Sequence, residues 1–110
     1  ADLANSTVSV SAASVASGSA VTLTLQTVDA NGNNLTSGGS SVVFGRTGGT
    51  STGSITAATD NGNGTYTATF TGLVAGTATT IFATINGNSV TSTLPTITVN
   101  PGPVSLSQST

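Results

Sequence analysis

Six residue types are missing from this 110-residue chain: Cys, His, Lys, Glu, Met and Trp. Each absence closes off some chemistry. Without Cys, no disulfide staples the fold and no thiol can act as a nucleophile. Without His or Lys, no side chain accepts a proton near neutral pH, so the many Ser hydroxyls lack a base to activate them. Lys–Asn cross-links are excluded by the same lack of Lys. A glycosidase needs two carboxylates of different pKa on either side of the scissile bond. The two central acids, Asp29 and Asp60, both open Gly/Asn turns, where Asp ordinarily hydrogen-bonds its own loop. A non-enzymatic chain is therefore expected.

Charge is nearly absent as well. Asp2, Asp29, Arg46 and Asp60 are the only charged side chains, and the net charge is −2. Nucleic-acid binding needs a stripe of Lys and Arg, and electrostatic docking on lipid needs a basic cluster. Neither partner is expected. No apolar run approaches the ~20 residues that span a bilayer, so direct membrane insertion is not expected either.

What fills the chain instead is Thr and Ser, 23 and 16 residues respectively. Thr, Val and Ile favour strands because β-branched side chains fit a pleated, half-buried surface. Apolar residues alternate with polar ones almost throughout, which is the period of a strand. Seven strands follow, separated by the turn signals ASGS, DANGNN, RTGG, DNGNG, VAGT and INGN. Val8 and Val10 share a face in the first, and Val21, Leu23 and Leu25 in the second. Val42 and Phe44 belong to the third, Ile55 and Ala57 to the fourth. The fifth, TYTATFT, puts Tyr66, Ala68 and Phe70 inward; the sixth does the same with Ile81, Ala83 and Ile85. The seventh, over 89–99, has Val90 and Leu94 in phase until Pro95 shifts the register to Ile97 and Val99. Pro cannot donate to a ladder, so that strand is expected at a sheet edge or bulged. INGNSV predicts a two-residue hairpin with Asn86-Gly87 or Gly87-Asn88 at its tip. The Tyr66 ring is expected in the core with its hydroxyl on a loop carbonyl. No stretch repeats at the helical period, so an all-β, two-sheet sandwich is predicted.

The blocks VTLTLQTVDANGN, DNGNGTYTATFTG and AGTATTIFATINGNSVT resemble the bacterial immunoglobulin-like (Big) domains of the invasin/intimin type. The resemblance covers almost the whole chain, and DNGNGTYTATFTG is its most specific part. It implies a seven-stranded antiparallel Greek-key sandwich at the bacterial cell surface, outside the cell. It also implies a stalk-like repeat of a large adhesin, projecting a distal region and supporting cell adhesion or biofilm formation. Host or bacterial surface ligands would then be met through other domains. The alternative is an accessory module of a secreted polysaccharide-degrading enzyme, a spacer or weak carbohydrate binder. One departure is Phe82, which alternation places on the polar Thr80/Thr84 face. It is expected under a neighbouring loop, or exposed as a single sugar platform.

The last residues, VSLSQST, align with the opening ADLANST: Leu106 falls on Leu3, Ser109 on Ser6 and Thr110 on Thr7. Residues 1–100 are therefore expected to form one domain, 101–103 a Pro-Gly-Pro linker, and 104–110 the first strand of a further copy. Two fixed φ angles stiffen that linker. Strand lengths suggest a unit roughly 30 Å long. The repeats would contact one another head to tail, each being monomeric in isolation.

Greek-key topology would gather Asp2, Asp29 and Asp60 at the N-terminal pole and leave Arg46 at the opposite one. Three roles stay open for them. Each Asp caps its own turn while Arg46 is solvated; or Arg46 pairs with Asp29 or Asp60 of the next copy; or the acidic pole holds calcium weakly. Asp29, Asn31 and Asn33 have the alternate-residue spacing of a calcium loop, with Asp2 and Asp60 nearby, but no bidentate Glu follows. No other cofactor is expected.

Overall fold

The computed structural model describes residues 2–101. The elements are β1 (Thr7–Val10), β2 (Ser14–Ala16), β3 (Ala20–Gln26), β4 (Val42–Thr47), β5 (Thr52–Ile55), β6 (Thr59–Asp60), β7 (Thr65–Val74), β8 (Thr79–Ile85), β9 (Asn88–Ser89) and β10 (Thr96–Asn100). They form two five-stranded sheets. One runs β1-β3-β7-β5, with β6 also on β7; the other runs β2-β10-β8-β4, with β9 on β8. The chain thus adopts the all-β immunoglobulin-like sandwich, with the second, fifth and fourth main strands in one layer and the third, sixth and seventh in the other.

Alternation drives this arrangement, because a strand with one apolar face must bury it against a second layer. Leu23, Leu25, Phe70, Ile81, Ala83 and Ile97 are fully buried between the sheets. Val8, Val21, Phe44, Tyr66, Ala68, Ile85, Val90 and Val99 join them. Each large aliphatic or aromatic side chain buried in this way contributes about 1.5–3 kcal/mol. Val10, Val42, Ile55 and Leu94 are half-buried and pack against that core.

The structure departs from the sequence expectation in several places. The expected seventh strand over 89–99 is two pieces, β9 and β10, with Pro95 just outside the second. β10 is not an edge strand, since it lies between β2 and β8. Pro95 is tolerated because it precedes the ladder and offers only its carbonyl, which accepts from Ile81 N–H at 2.9 Å. β2 was not expected; it pairs in parallel with β10, Val15 opposite Val99. The first expected strand is β1, wholly in the β3 sheet, and β2 adds a short strand to the other sheet. Val15 and Val28 are buried without having been expected there, while Ala57 is exposed. The long axis of 55 Å exceeds the roughly 30 Å expected from strand length.

Two turns show why their residues are needed. Asn86 (φ 52°) and Gly87 (φ 88°) both take the left-handed region of a type I′ hairpin. Gly64 (φ 90°) lies so close to the Leu35 carbonyl that a Cβ would collide with it. Its own carbonyl accepts from Thr27 N–H (2.9 Å) and Thr27 Oγ1 (2.5 Å), clamping the DNGNG turn onto the end of β3. Thr27, Ser6, Ser51 and Thr79 are the buried polar side chains, and among the described residues no buried side-chain polar atom lacks a partner. Ser51 ties the sheets together: its hydroxyl, just before β5, accepts from Val99 N–H of β10 at 3.0 Å.

Candidate functional site

Register places the four charges. Thr7 of β1 and Thr65 of β7 both pair with Gln26, the last residue of β3. Asp2, Asp29 and Asp60 follow or precede these residues, so all three lie at the pole where the chain enters. Asp2 and Asp29 are joined there: Asp2 N–H donates to Val28 O at 2.7 Å, and Asn5 Nδ2 to Asp29 O at 3.0 Å. Arg46, near the end of β4, pairs with Ile81, and the loop that crosses from there to the other sheet ends at Thr52 opposite Val74. That is the opposite pole, where β10 leaves at Asn100.

Each carboxylate is engaged in its own loop cluster. Asp2 Oδ1 accepts from Ala4 and Asn5 N–H at 2.9 and 3.0 Å. Asp29 Oδ1 accepts from Asn31 and Asn33 N–H, both at 2.9 Å. The amide of Asn33 first, then that of Asn31 and the Asn33 side chain, hold the Asp29 carboxyl below its ordinary value, against an opposing effect of desolvation. Asp60 Oδ1 accepts from Gly62 N–H at 2.9 Å, and Oδ2 reaches across to Gly39 N–H at 2.8 Å, tying the β3–β4 loop to β6. The alternate-residue spacing of Asp29, Asn31 and Asn33 therefore serves a turn whose amides converge on Asp29. Among the described residues no three acidic side chains converge on one point. Arg46 is exposed, and its Nη1 lies 3.5 Å from Ser51 O.

Tyr66 differs from expectation in one detail. Its ring is buried and its hydroxyl meets the β3–β4 loop, but it accepts from Ser40 N–H at 3.0 Å where a carbonyl acceptor was expected. Phe82 is half-buried, and its ring covers Gly45, its cross-strand partner.

Alternation turns Val43 away from the Val42/Phe44 face, as observed, whereas sequence reasoning missed Leu73 and Val74. Val43, Leu73 and Val74 are 57%, 56% and 55% exposed. Val43 borders a shallow groove between the two sheet edges, β4 and β5, shared with Val42, Phe44 and Ile55–Ala58. Leu73 and Val74 end β7 at the pole where the chain leaves. Their one sequence signal is adjacency, two aliphatics in a row after strict alternation. Residues 104–110, read as the start of a further copy, lie outside the described residues.

The same sandwich occurs in bacterial adhesins. The Escherichia coli adhesin FdeC is 30% identical over 94% of this chain and 33% of its own, with a TM-score of 0.81. The Yersinia pseudotuberculosis adhesin InvE is 28% identical over 90% of this chain and 27% of its own, with a TM-score of 0.75. Invasin, a bacterial integrin-binding protein, shares the fold at 24% identity and a TM-score of 0.75, over 91% of this chain and 20% of its own. This chain thus spans a third or less of the length of these structures. No curated protein sequence matches it. The family described as invasin, domain 3, matches residues 2–102, and the chain belongs to that family of adhesin domains.

Proposed function

We propose that this domain is a non-enzymatic spacer in the stalk of a bacterial surface adhesin, holding a distal binding region away from the cell. The observation that carries this reading is the separation of entrance and exit: the chain enters beside Asp2 and leaves at Asn100, at opposite ends of a 55 Å long axis. A domain so threaded adds its length to an array without folding the array back. The adhesin relatives support a place outside the cell, and the lack of His, Cys, Lys and Glu supports a purely mechanical role. Head-to-tail stacking brings the Arg46 pole of one domain towards the Asp29 and Asp60 pole of the next, an exposed attraction that solvent and salt screen. Calcium has no part in this assignment, and saturating calcium is expected to leave the melting temperature of the parent chain unchanged.

The test is deletion of this domain from the parent adhesin displayed on cells. Atomic-force measurement of the projection should show shortening by about one domain length, with the affinity of the distal region for its ligand unchanged. Loss of ligand binding by the displayed adhesin when this domain is deleted would overturn the spacer assignment.

A further inference from the structure

We infer that Leu73 and Val74, with Arg46 beside them, form a docking ridge for the N-terminal pole of the immunoglobulin-like domain that follows in the same polypeptide. This rests on the spacer assignment and names the contact that would make the spacer stiff.

The ridge breaks the pattern of its own strand. From Tyr66 to Phe70 the apolar side chains of β7 are buried, and Gly72 continues that inward face against Val15 and Val99. A register shift then intervenes: Gly53 pairs with Gly72, and Thr52 with Val74. Leu73 is left unpaired, as the extra residue of a bulge is, and bulges re-aim side chains. Both Leu73 and Val74 emerge more than half exposed. Two adjacent aliphatics in water at the end of an otherwise hydroxyl-rich strand call for a partner.

Hydrogen bonds weld this ridge to the chain's exit. Ser17 N–H donates to Asn100 O at 2.8 Å, and its hydroxyl donates to Leu73 O at 2.9 Å. Gly76 N–H donates to Val99 O at 3.1 Å, closing the block from the other side. The exit at Asn100 is therefore fixed beside Leu73 and Val74. Arg46 reaches the same block through Ser51, next in sequence to Thr52, the partner of Val74.

Three observations identify the occupant as the following domain. This chain makes up a third or less of the adhesin structures it resembles, so such domains sit in series. This domain's own N-terminal pole, taken as the pattern for the one that follows, carries Asp29 and Asp60 for Arg46 and half-buried Leu3 for the aliphatic ridge, while the alignment puts Ser105 in the place of Asp2. Finally, the sequence beyond Pro101 matches the opening of the domain at three of seven positions, with Leu106 in the place of Leu3.

The test uses the parent chain, containing this domain and the one after it. In the double variant Leu73→Ser/Val74→Ser, proteinase K should cut at residues 100–103 several-fold faster than in wild type. Small-angle scattering should show a broader spread of interdomain distances. Val43→Ser, equally exposed but on the flank, should change neither, and the milder Val74→Thr should fall between. The ridge is refuted if the double variant matches wild type in both measurements, or if the wild-type junction is already cut freely. It is also refuted if the parent chain is a dimer that the double variant dissociates, which would make the patch a lateral contact between copies. A freely cut wild-type junction leaves the spacer assignment standing, because that is judged by projected length.

Discussion

Phe82 lies across Gly45, its cross-strand partner on the outer face of the β4–β8 pair, so that a Cβ at Gly45 would collide with the ring. An aromatic covering a glycine on a neighbouring strand shields exposed backbone and restores packing that the glycine lacks. Phe82→Ala should cost about 1 kcal/mol. Gly45→Ala should also destabilise, because the ring must move. In the double variant the collision is gone, so the two effects should add to less than their sum in urea denaturation. Simple additivity, within about 0.5 kcal/mol, would show that the ring does not depend on Gly45.

Phe70 is fully buried at the centre of β7, with Val21 and Ile55 as its neighbours in register on either side. Phe70→Ala leaves a cavity and should cost about 3–5 kcal/mol. That is a large part of the ~5–15 kcal/mol typical of a domain, so the variant should be substantially unfolded at 37 °C by circular dichroism.

Tyr66→Phe keeps the ring and removes the acceptor for Ser40 N–H. The expected loss is about 1 kcal/mol. Amide exchange should accelerate at Ser40 while the core amides of Leu23 and Ile81 stay protected. Equal acceleration at all three would mean that the hydroxyl supports the whole domain and not the loop alone.

Asp29 is held below its ordinary pKa first by the Asn33 amide and then by that of Asn31, both of which donate to its carboxylate. A depressed folded-state value means that its stabilisation is complete above the unfolded value near 4 and fades as pH falls through the folded value. No other side-chain type in the sequence titrates between about pH 6 and 9. The melting temperature should therefore be flat across that range and decline below about pH 5. Asp29→Asn should make the acid decline shallower; an unchanged acid profile would remove Asp29 from its causes.

Arg46 is the single site for trypsin, and it sits within β4, paired with Ile81. Cleavage of a paired strand requires local opening. The native chain should resist trypsin and yield fragments 1–46 and 47–110 only under conditions that unfold it. Rapid cutting without loss of far-UV signal would show that the β4 edge opens on its own.

Much of this architecture is written in short-range pattern. Period-2 alternation reports which face of a segment turns from water, so Leu23, Leu25, Tyr66, Phe70, Ile81 and Ile97 were legible as core, and with them the two-layer sandwich. Turn chemistry was equally local, because φ > 0 at Asn86 and Gly87 depends on those residues alone. Composition was equally legible, since a missing side chain cannot be supplied by folding.

Other features were decided only by distant partners. Ser14–Ala16 is a strand because β10, eighty-odd residues later, offers it an edge; three residues with one Val carry no such signal. Pro95 precedes an interior strand because β2 claims the other side of β10. Phe82 rests on Gly45, and Leu73 stands beside the exit through Ser17, by pairings that bring remote segments together. Periodicity specifies which way a side chain faces, whereas its neighbour on that face is set by register and topology, which the whole chain determines at once.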